Sequence, residues 1–523
     1  MKKFVLFFCV AMLLAGCGSA PIVQSPSQLA ATHGYVFASL PKGSTETIAL
    51  ESVKDKSTYV LQARTDAGIK SVGLWIPAGE YKLAKWQGYD LIGYPPVVVQ
   101  QGRVTDLGGL IPLSIGDYKF VVLPVRHAEI SSNADVAIND YRTVLLSQKP
   151  LDWVVDITPK AIQAQANGYS GLGLIVDLML AYERERARPS INKQLSETES
   201  AKDFFQLAKA ATPPLTGKFE HDALGNLFYG ADFGQIRMRS VHGEWSNLDT
   251  GSLHSVTAIK VEDKFLIAGF DNGVIRASED GGASWKELVS LGRDARIMDI
   301  EHAGDKWIVA VARDAVDGAV WKKVGKVEVY ATKANDLQDL VKVKVIARPE
   351  GFQAAYVFPL WAEVANGNYY ISGPPDLFRM SLSSMEWKTV TPPIDISGFH
   401  TSAKNGVVAA YLAKGAFSKL YLSTDDGNTW SKYDSPPYTF TEVRFASSAD
   451  GQAVRWSAGL VSASMELMRY DKTHDSWSRF AEVPSGCTRT LPDATGMARF
   501  CITRGGSILS YTDSKWVAEF AVD

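Results

Sequence analysis

The octet Ser278-Glu279-Asp280-Gly281-Gly282-Ala283-Ser284-Trp285 recurs as Ser423-Thr424-Asp425-Asp426-Gly427-Asn428-Thr429-Trp430. Both copies fit the pattern S-x-D-x-G-x-[ST]-W. The serine and aspartate side chains can bind the amides of a turn, and the glycine can adopt a positive φ. The tryptophan then starts the next strand with its ring facing inward. The two octets therefore predict a repeated β-hairpin in the C-terminal part of the chain.

Weaker copies of the octet give the repeat a period. Four copies place a tryptophan after a short polar turn; they are Ser240–Trp245, Ser381–Trp387, Tyr470–Trp477 and Tyr511–Trp516. A fifth copy, Tyr330–Leu337, has lost its tryptophan. Successive turns lie about 45 residues apart, which is the length of a four-stranded propeller blade. A glycine turn precedes several of the copies and leads into the predicted third strand, as in Gly230–Ile236, Gly269–Ile275 and Gly505–Ile508.

The octets resemble the Asp-box, or bacterial neuraminidase repeat, a hairpin between the outer two strands of β-propeller blades. The resemblance implies a structural role for Ser278, Asp280, Gly282, Trp285, Ser423, Asp425, Gly427 and Trp430. It also implies a mainly β chain whose residues 215–523 form a C-terminal seven-bladed β-propeller. Six and eight blades remain as alternatives.

The N-terminus carries an export signal. Lys2 and Lys3 precede an apolar stretch, Phe4–Leu14, that is too short to span a bilayer, and Leu14-Ala15-Gly16-Cys17 follows it. This arrangement is similar to the lipobox of bacterial lipoproteins. The resemblance implies a signal peptide over residues 1–16, lipid on Cys17 and a durable membrane anchor of several acyl chains. An ordinary secretory signal with a fortuitous cysteine is the alternative.

The residue after the cysteine, Gly18, replaces the aspartate associated with inner-membrane retention. We therefore expect a cell-envelope protein, in the outer membrane if the source is Gram-negative. Residues 17–33 are small, polar and proline-containing, which predicts a flexible tether.

Residues 34–125 alternate short β-type runs with glycine and proline, which predicts a small antiparallel β-sandwich. Within them Pro77–Leu83 (PAGEYKL) is similar to the turn and strand of transthyretin-like accessory modules, and this similarity implies that Tyr81 packs on the core.

Residues 126–214 have helical character and predict a connector between the sandwich and the propeller. The candidate helices are Ala134–Ser147, Pro159–Ala166 and Ala201–Ala211. The apolar run Leu172–Leu180 is too short to span a membrane and contains Asp177, so we expect a buried helix, with a helix lying on the membrane as the alternative.

The remaining cysteines suit an oxidising compartment. Cys9 leaves with the signal, and Cys487 and Cys501 remain in the last predicted blade. A disulfide between them closes a loop of about 15 residues and contributes about 3 kcal/mol to stability. A metal site is the alternative, but these two cysteines have no histidine nearby.

No catalytic, cofactor-binding or metal-ligating set stands out. The formal net charge of −3 gives no support to nucleic-acid binding. The eight histidines show no zinc-hydrolase spacing, and phosphate-loop, dinucleotide-binding and nucleophile-turn patterns are missing. Sialidases carry an Arg-Ile-Pro element early in the propeller, whereas the nearest approach here, Arg296-Ile297-Met298, lacks the proline and lies in a later blade.

These observations predict a lipid-anchored propeller that binds a protein or glycan partner without catalysis. A glycan-acting enzyme, either a sialidase-like glycoside hydrolase or a polysaccharide lyase, is the alternative. Paired carboxylates with arginines at the propeller's central mouth would favour the enzyme. The basic stretch Lys322-Lys323-x-x-Lys326 is expected to protect a strand edge, with docking as its alternative role.

Overall fold

The structure is a computed structural model of the chain. It describes residues 26–40, 47–61, 63–64, 71–86, 89–116, 119–127, 129, 151–153, 157–166, 189–292, 294–314, 324–333, 336–347, 362–373, 376–394, 396, 398–402, 406–437, 439–458, 463–484, 486–503 and 506–520. Cys17 and the predicted signal lie outside these residues, as do Ala134–Ser147 and Leu172–Leu180. Within the described part of the chain, no helix has the length and apolar character needed to cross a membrane.

The N-terminal strands form one hydrogen-bonded sheet. They are β1 (His33–Ser39), β2 (Ile48–Ser52), β3 (Thr58–Leu61), β4 (Ala63–Arg64), β5 (Ser71–Pro77), β6 (Gly79–Trp86), β7 (Tyr89–Ile92), β8 (Val97–Val99), β9 (Val104–Gly116), β10 (Lys119–Val125), β11 (Leu151–Asp152) and β12 (Gln163–Ala166). The order is β3-β2-β6-β7-β12-β10-β9-β1-β5-β4, with β8 on β6 and β11 on β9. Two pairings, β1 with β9 and β11 with β9, are parallel, which the predicted antiparallel sandwich did not include.

The helix predicted over Pro159–Ala166 is wrong. Pro159–Ala161 form a 3-10 turn, and Gln163–Ala166 form the strand β12 between β7 and β10. Alanine and glutamine favour helices, but the open edges of two neighbouring strands offer this segment backbone partners on both sides. The sheet therefore extends into the region predicted as a helical connector.

Tyr81 packs in the N-terminal core, as the turn Pro77–Leu83 predicts. Its side chain is buried, and its hydroxyl donates to the Pro77 carbonyl at 2.6 Å. The ring meets Tyr59 edge-on at 5.6 Å between centroids. Burial raises the pKa of Tyr81 to about 12, so the hydroxyl keeps the proton that closes this turn.

In the described residues, three α-helices accompany the sheet: α1 (Pro26–Ala30), α2 (Pro189–Glu197) and α3 (Ala201–Ala210). The first begins inside the predicted tether, because Pro26 suits the first turn of a helix and the strand β1 already starts at His33. The third matches the predicted helix Ala201–Ala211 to within one residue. Ser200 caps it by accepting from the Asp203 amide at 3.2 Å.

The helix α3 joins the N-terminal region to the C-terminal domain. Phe204 is buried in the N-terminal core, and Phe205 meets Phe233 of the C-terminal domain at 5.8 Å between centroids. Arg237 donates from Nε to the Thr212 carbonyl just beyond the helix at 3.0 Å. A cation at this end complements the helix dipole and satisfies carbonyls left free by the last turn.

The C-terminal domain is a β-propeller built of seven four-stranded antiparallel sheets in its described residues, each with its strands in chain order. The sheets are numbered 1 to 7 along the chain. Sheet 1 contains β13 (Pro214–His221), β14 (Leu227–Ala231), β15 (Gln235–Arg239) and β16 (Trp245–Asp249); sheet 2 contains β17 (Val256–Glu262), β18 (Phe265–Phe270), β19 (Val274–Ser278) and β20 (Lys286–Ser290); sheet 3 contains β21 (Ala295–Ala303), β22 (Lys306–Asp314), β23 (Val324–Ala331) and β24 (Val341–Ala347).

The later sheets follow the same plan. Sheet 4 contains β25 (Ala362–Ala365), β26 (Asn368–Gly373), β27 (Asp376–Ser381) and β28 (Trp387–Val390); sheet 5 contains β29 (Gly398–Ser402), β30 (Val407–Leu412), β31 (Lys419–Ser423) and β32 (Ser431–Tyr433); sheet 6 contains β33 (Thr439–Ser447), β34 (Asp450–Ala458), β35 (Ala463–Asp471) and β36 (Ser476–Glu482); sheet 7 contains β37 (Cys487–Pro492), β38 (Ala498–Thr503), β39 (Ile508–Thr512) and β40 (Lys515–Phe520). Short 3-10 turns occur at Leu337–Asp339 and Gly415–Phe417.

The repeated tryptophans mark the start of the fourth strand in six sheets; they are Trp245, Trp285, Trp387, Trp430, Trp477 and Trp516. Several of them also join neighbouring sheets. The Trp477 indole donates to the Asp434 carbonyl at 2.9 Å, and Trp516 donates to the Glu482 carbonyl at 2.8 Å. In sheet 3 the turn Leu337–Asp339 precedes the fourth strand instead.

Candidate functional site

The first strand of each sheet faces the centre of the propeller. Each first strand from β13 to β29 contacts the first strand of the next sheet; the pairs are β13 with β17, β17 with β21, β21 with β25, β25 with β29, and β29 with β33. The last first strand, β37, contacts β13. Propeller blades surround a central channel, so these strands form its wall. Polar side chains on this wall are the groups best placed to meet a ligand entering the channel.

Lys260 lies between two carboxylates on this wall. Its Nζ is 3.5 Å from Oε1 of Glu220 and 3.0 Å from Oε2 of Glu301, so three successive first strands contribute to the cluster. The Lys260 side chain is 17% exposed, that of Glu220 is 13% exposed and that of Glu301 is 8% exposed. Largely buried charges require partners, and the shared lysine supplies one to each carboxylate.

The other inner carboxylates are also held. Oε2 of Glu363 accepts from the Thr401 hydroxyl at 2.5 Å, and Oε2 of Glu442 accepts from Nε of Arg444 at 3.2 Å. We use the name polar belt for the first-strand residues Glu220, Lys260, Asp299, Glu301, Glu363, Thr401, Glu442 and Arg444. The belt is a surface of polar groups that neighbouring side chains hold in place.

Two titratable groups next to the belt are kept neutral. Burial, reinforced by Asp299, raises the pKa of Tyr369 well above its ordinary value, and the Tyr369 hydroxyl donates to Oδ2 of Asp299 at 3.0 Å. His400 keeps part of its surface accessible, but desolvation by the surrounding strands lowers its pKa to about 3, and Arg444 adds to this by repulsion. A histidine with so low a pKa is a poor general base at neutral pH.

The N-terminal region contacts the loop between sheets 1 and 2 and the third strand of sheet 2. Oε1 of Glu129 accepts from the Ser252 hydroxyl and from Nη2 of Arg276, both at 2.8 Å, while Oε2 accepts from the Leu253 amide at 2.9 Å. His127 contacts the Gly251 carbonyl at 3.0 Å through Nε2. One carboxylate thus links the N-terminal region to this loop and to sheet 2.

The octet residues build turns far from the wall, between the third and fourth strands of sheets 2 and 5. Ser278 accepts from the Gly282 amide at 2.7 Å and donates to Asp280, which in turn accepts from the Ser284 amide and hydroxyl at 2.9 and 2.6 Å. The bonds from Ser284 and Ser278 lower the pKa of Asp280 to about 2. Gly282 has a φ of +95°, where other residues are strained.

The second octet repeats this geometry. Ser423 accepts from the Gly427 amide at 2.8 Å, and Asp425 accepts from the Thr429 amide and hydroxyl at 2.8 and 2.7 Å. Gly427 has a φ of +80°. These contacts give Asp280 and Asp425 a role in closing turns.

A disulfide joins Cys487 on the first strand of sheet 7 to Cys501 on its second strand, with 5.8 Å between the Cα atoms. In the described residues, no group of three or more histidine, cysteine, aspartate or glutamate side chains is arranged to hold a metal ion. Arg296-Ile297-Met298 lies on β21, where Ile297 is fully buried and Met298 packs between sheets. The sequence element nearest to the sialidase pattern is therefore largely part of the core.

The sequence interpretation did not identify the polar belt. A weak signal exists, because Glu220, Lys260 and Glu363 each precede the tryptophan of their own sheet by about 25 residues. When the repeats are aligned on their tryptophans, these charged residues fall at nearly the same position of the repeat. A single charge in an apolar strand otherwise resembles an ordinary surface position.

Comparisons with known proteins concern the fold alone. No protein-family model and no curated protein matches the chain. Among solved structures, the chain is similar to YCF48 bound to D1 peptide, with 12% identity over 57% of this chain and 94% of that chain and a TM-score of 0.41. It is also similar to YCF48 from Cyanidioschyzon merolae (12% identity, 57% and 95% coverage, TM-score 0.40) and to the WD40 β-propeller domain of Doa1 (10% identity, 58% and 92% coverage, TM-score 0.35).

Proposed function

We propose that this protein is a lipid-anchored envelope protein whose propeller is a non-catalytic platform for binding or assembling a protein or glycan partner. The polar belt is the observation that carries the proposal. Its carboxylates are each bound to a neighbouring side chain, so the channel wall is an ordered polar surface, and its five carboxylates outnumber its two cations.

The finer architecture belongs to the same proposal. We infer a closed ring of seven blades, with octets of the Asp-box type in sheets 2 and 5. Closure is supported by the contact of β37 with β13 and by the Tyr229 hydroxyl, which donates to the Pro492 carbonyl at 2.6 Å. A lipid on Cys17 would hold this ring near the membrane through the N-terminal sheet.

A glycan-acting enzyme is the second candidate, and one cluster favours it. Glu220 and Glu301 are two carboxylates brought to a single cation, Lys260, at the channel wall. Glycoside hydrolysis uses two carboxylates of different protonation. Against this, Lys260 contacts both groups and disfavours the protonated acid that such a mechanism requires.

Cross-linking in the intact envelope followed by affinity purification tests the proposal. We expect a reproducible partner at stoichiometric yield from wild-type cells. Recovery of no partner, together with release of sugar from envelope glycans by the purified protein, would overturn it in favour of the enzyme. If the protein is the enzyme, Glu220→Gln and Glu301→Gln variants should lose sugar release. If it is a binding platform, both variants should still recover the partner.

A further inference from the structure

Sheet 3 departs from the repeat at its outer edge. Its fourth strand, β24, lacks the tryptophan that starts the fourth strand of the other six sheets. Instead it exposes Val341, Val343 and Val345, at 46%, 36% and 48% of their surface. No other fourth strand in the described residues exposes more than one large hydrophobic side chain.

A cationic cluster lies beside these valines. Nζ of Lys326 and Nζ of Lys342 approach the same oxygen, Oε1 of Glu328, at 2.9 and 2.8 Å, and Arg313 donates from Nε to Oε2 at 2.8 Å. The Glu328 side chain is 2% exposed, whereas the two lysines are 48% and 43% exposed. Glu328 therefore holds three cations, and Asp294 pairs with Arg313 at 2.8 Å as a second carboxylate. These five groups together carry one surplus positive charge.

The cluster stays charged at neutral pH. Burial alone would raise the pKa of Glu328, but the hydrogen bonds from Lys342, Lys326, Tyr330 and Arg313 outweigh it and lower this pKa. Each lysine has three N–H donors, so donors remain for an anion from outside.

In the part of the chain that the structure describes, the outer backbone edge of β24 has no strand beside it. The described order of sheet 3 is β21-β22-β23-β24, so no described strand pairs beyond β24. A register shift between Val329 and Tyr330 on β23 interrupts the ladder opposite Val343 and leaves Lys344–Ala347 as the regular stretch. Val345 lies directly opposite Glu328 in this stretch, next to the cations. Lysines on an edge also discourage aggregation, but this function does not account for three exposed valines.

We propose that the outer edge of β24 binds an extended acidic peptide segment of a partner protein, which adds to sheet 3 as a fifth strand. This inference rests on the proposed function and names the chemistry of the partner. Main-chain hydrogen bonds would hold the added strand. Side chains alternate between the two faces of a strand, so the carboxylates of the peptide would lie on the face of Val345, where they meet Lys326 and Lys342, and its apolar side chains would lie on the face of Val341. An anionic lipid surface could meet the valines and lysines but would leave the strand edge unpaired, so the peptide fits better.

The test uses the full chain and a fluorescent peptide, Glu-Val-Glu-Val-Glu-Val, with Lys-Val-Lys-Val-Lys-Val as its counterpart. We expect the acidic peptide to bind, and the lysine peptide to fail. Val345→Glu should weaken binding by about tenfold, because it places a negative charge at the contact, whereas Val345→Lys should bind at least as well. Val517→Glu is the matched control, since Val517 is 51% exposed on the fourth strand of sheet 7.

Hydrogen exchange measured on the same samples locates the contact. In Lys344–Ala347 every second amide faces β23 and the others face outward. The outward-facing amides should exchange freely in the unbound protein and become protected with the peptide. Protection of these amides without peptide would overturn the inference. Protection that increases with protein concentration would mean that a second copy of the chain covers the edge. Protection that does not depend on protein concentration would mean that another part of the same chain covers it. Equal loss of binding in Val517→Glu would also overturn it, as would Val345-dependent binding to anionic phospholipid vesicles without peptide binding.

The two proposals fail in different ways. If envelope cross-linking recovers a partner but the acidic peptide does not bind, the platform stands and the β24 edge is not its contact. If the peptide binds but no partner is recovered and sugar is released, the edge binds peptides and the proposed function is wrong.

Discussion

Arg239 and Glu519 form a two-pronged ion pair that joins sheet 1 to sheet 7, with Nε to Oε2 at 2.6 Å and Nη2 to Oε1 at 2.8 Å. The Trp245 indole also donates to Oε2 of Glu519 at 3.1 Å. Both charged side chains are largely buried, at 16% and 15% exposure. The residues are 280 positions apart in the chain, so this contact holds the two ends of the domain together.

Removing Arg239 should weaken this junction. Arg239→Ala leaves Glu519 largely buried without its main partner, so we expect the free energy of unfolding to fall by about 3 kcal/mol. Urea unfolding followed by tryptophan fluorescence measures the change. The control is Lys286→Ala in the exposed pair with Glu279, which should cost less than about 1 kcal/mol. Equal effects of the two variants would contradict a role for the pair in closing the domain.

The disulfide within sheet 7 should stabilise the C-terminal domain. A Cys487→Ser, Cys501→Ser double variant loses a loop constraint of about 15 residues, so we expect the free energy of unfolding to fall by about 3 kcal/mol. Calorimetry of the oxidised protein, the reduced protein and the double variant provides the measurement. Reduction should lower the melting temperature of wild type and leave that of the double variant unchanged; a shift in both would indicate that reduction acts elsewhere.

The sequence predicts structure that is encoded within a few neighbouring residues, and it does not predict structure that depends on residues far apart in the chain. A turn closed by Ser278, Asp280 and Gly282 is encoded within eight residues, so its position could be predicted from spacing alone. The same holds for α3, which Ser200 caps locally. By contrast, β12 becomes a strand only because β7 and β10 offer it open edges. The polar belt likewise depends on partners about 40 residues apart, such as Lys260 and Glu301.

The Asp280 carboxylate should make stability depend on pH in the acid range. Its pKa is lowered from 3.8 to about 2 in the folded protein, so its contribution is present above pH 4 and is lost as the pH falls through 2. Asp280→Asn should therefore be less stable at pH 7 and show a flatter decline between pH 4 and 2. Urea midpoints at several pH values measure this. Asp263→Asn, in an exposed turn of the same sheet, is the control and should show the wild-type decline in stability. If Asp280→Asn also shows the wild-type decline, the charge of the Asp280 carboxylate does not stabilise the turn.

His400 should contribute a second pH dependence, at higher pH. Its pKa is lowered from 6.5 to about 3, so the unfolded chain binds a proton in this window while the folded protein does not. Stability should therefore decrease as the pH falls from 6.5 towards 3, by at most about 1.4 kcal/mol per pH unit from this group. His400→Gln should flatten the decline between pH 6.5 and 4, whatever its effect at pH 7. His242→Gln, at an exposed position, should leave the slope unchanged, and an identical slope in both variants would show that His400 is not the titrating group.

The proposed lipid anchor predicts a change of compartment when Cys17 is replaced. Without a thiol to acylate, Cys17→Ala protein loses the several acyl chains whose burial makes attachment durable. We expect palmitate labelling to disappear and the protein to move from the membrane fraction to the soluble fraction, while the tryptophan fluorescence of the folded domain stays the same. Cys9→Ala is the matched control, because this cysteine lies inside the predicted signal and should not affect labelling. Continued membrane partitioning of Cys17→Ala protein with an intact fold would mean that some other part of the molecule holds it there.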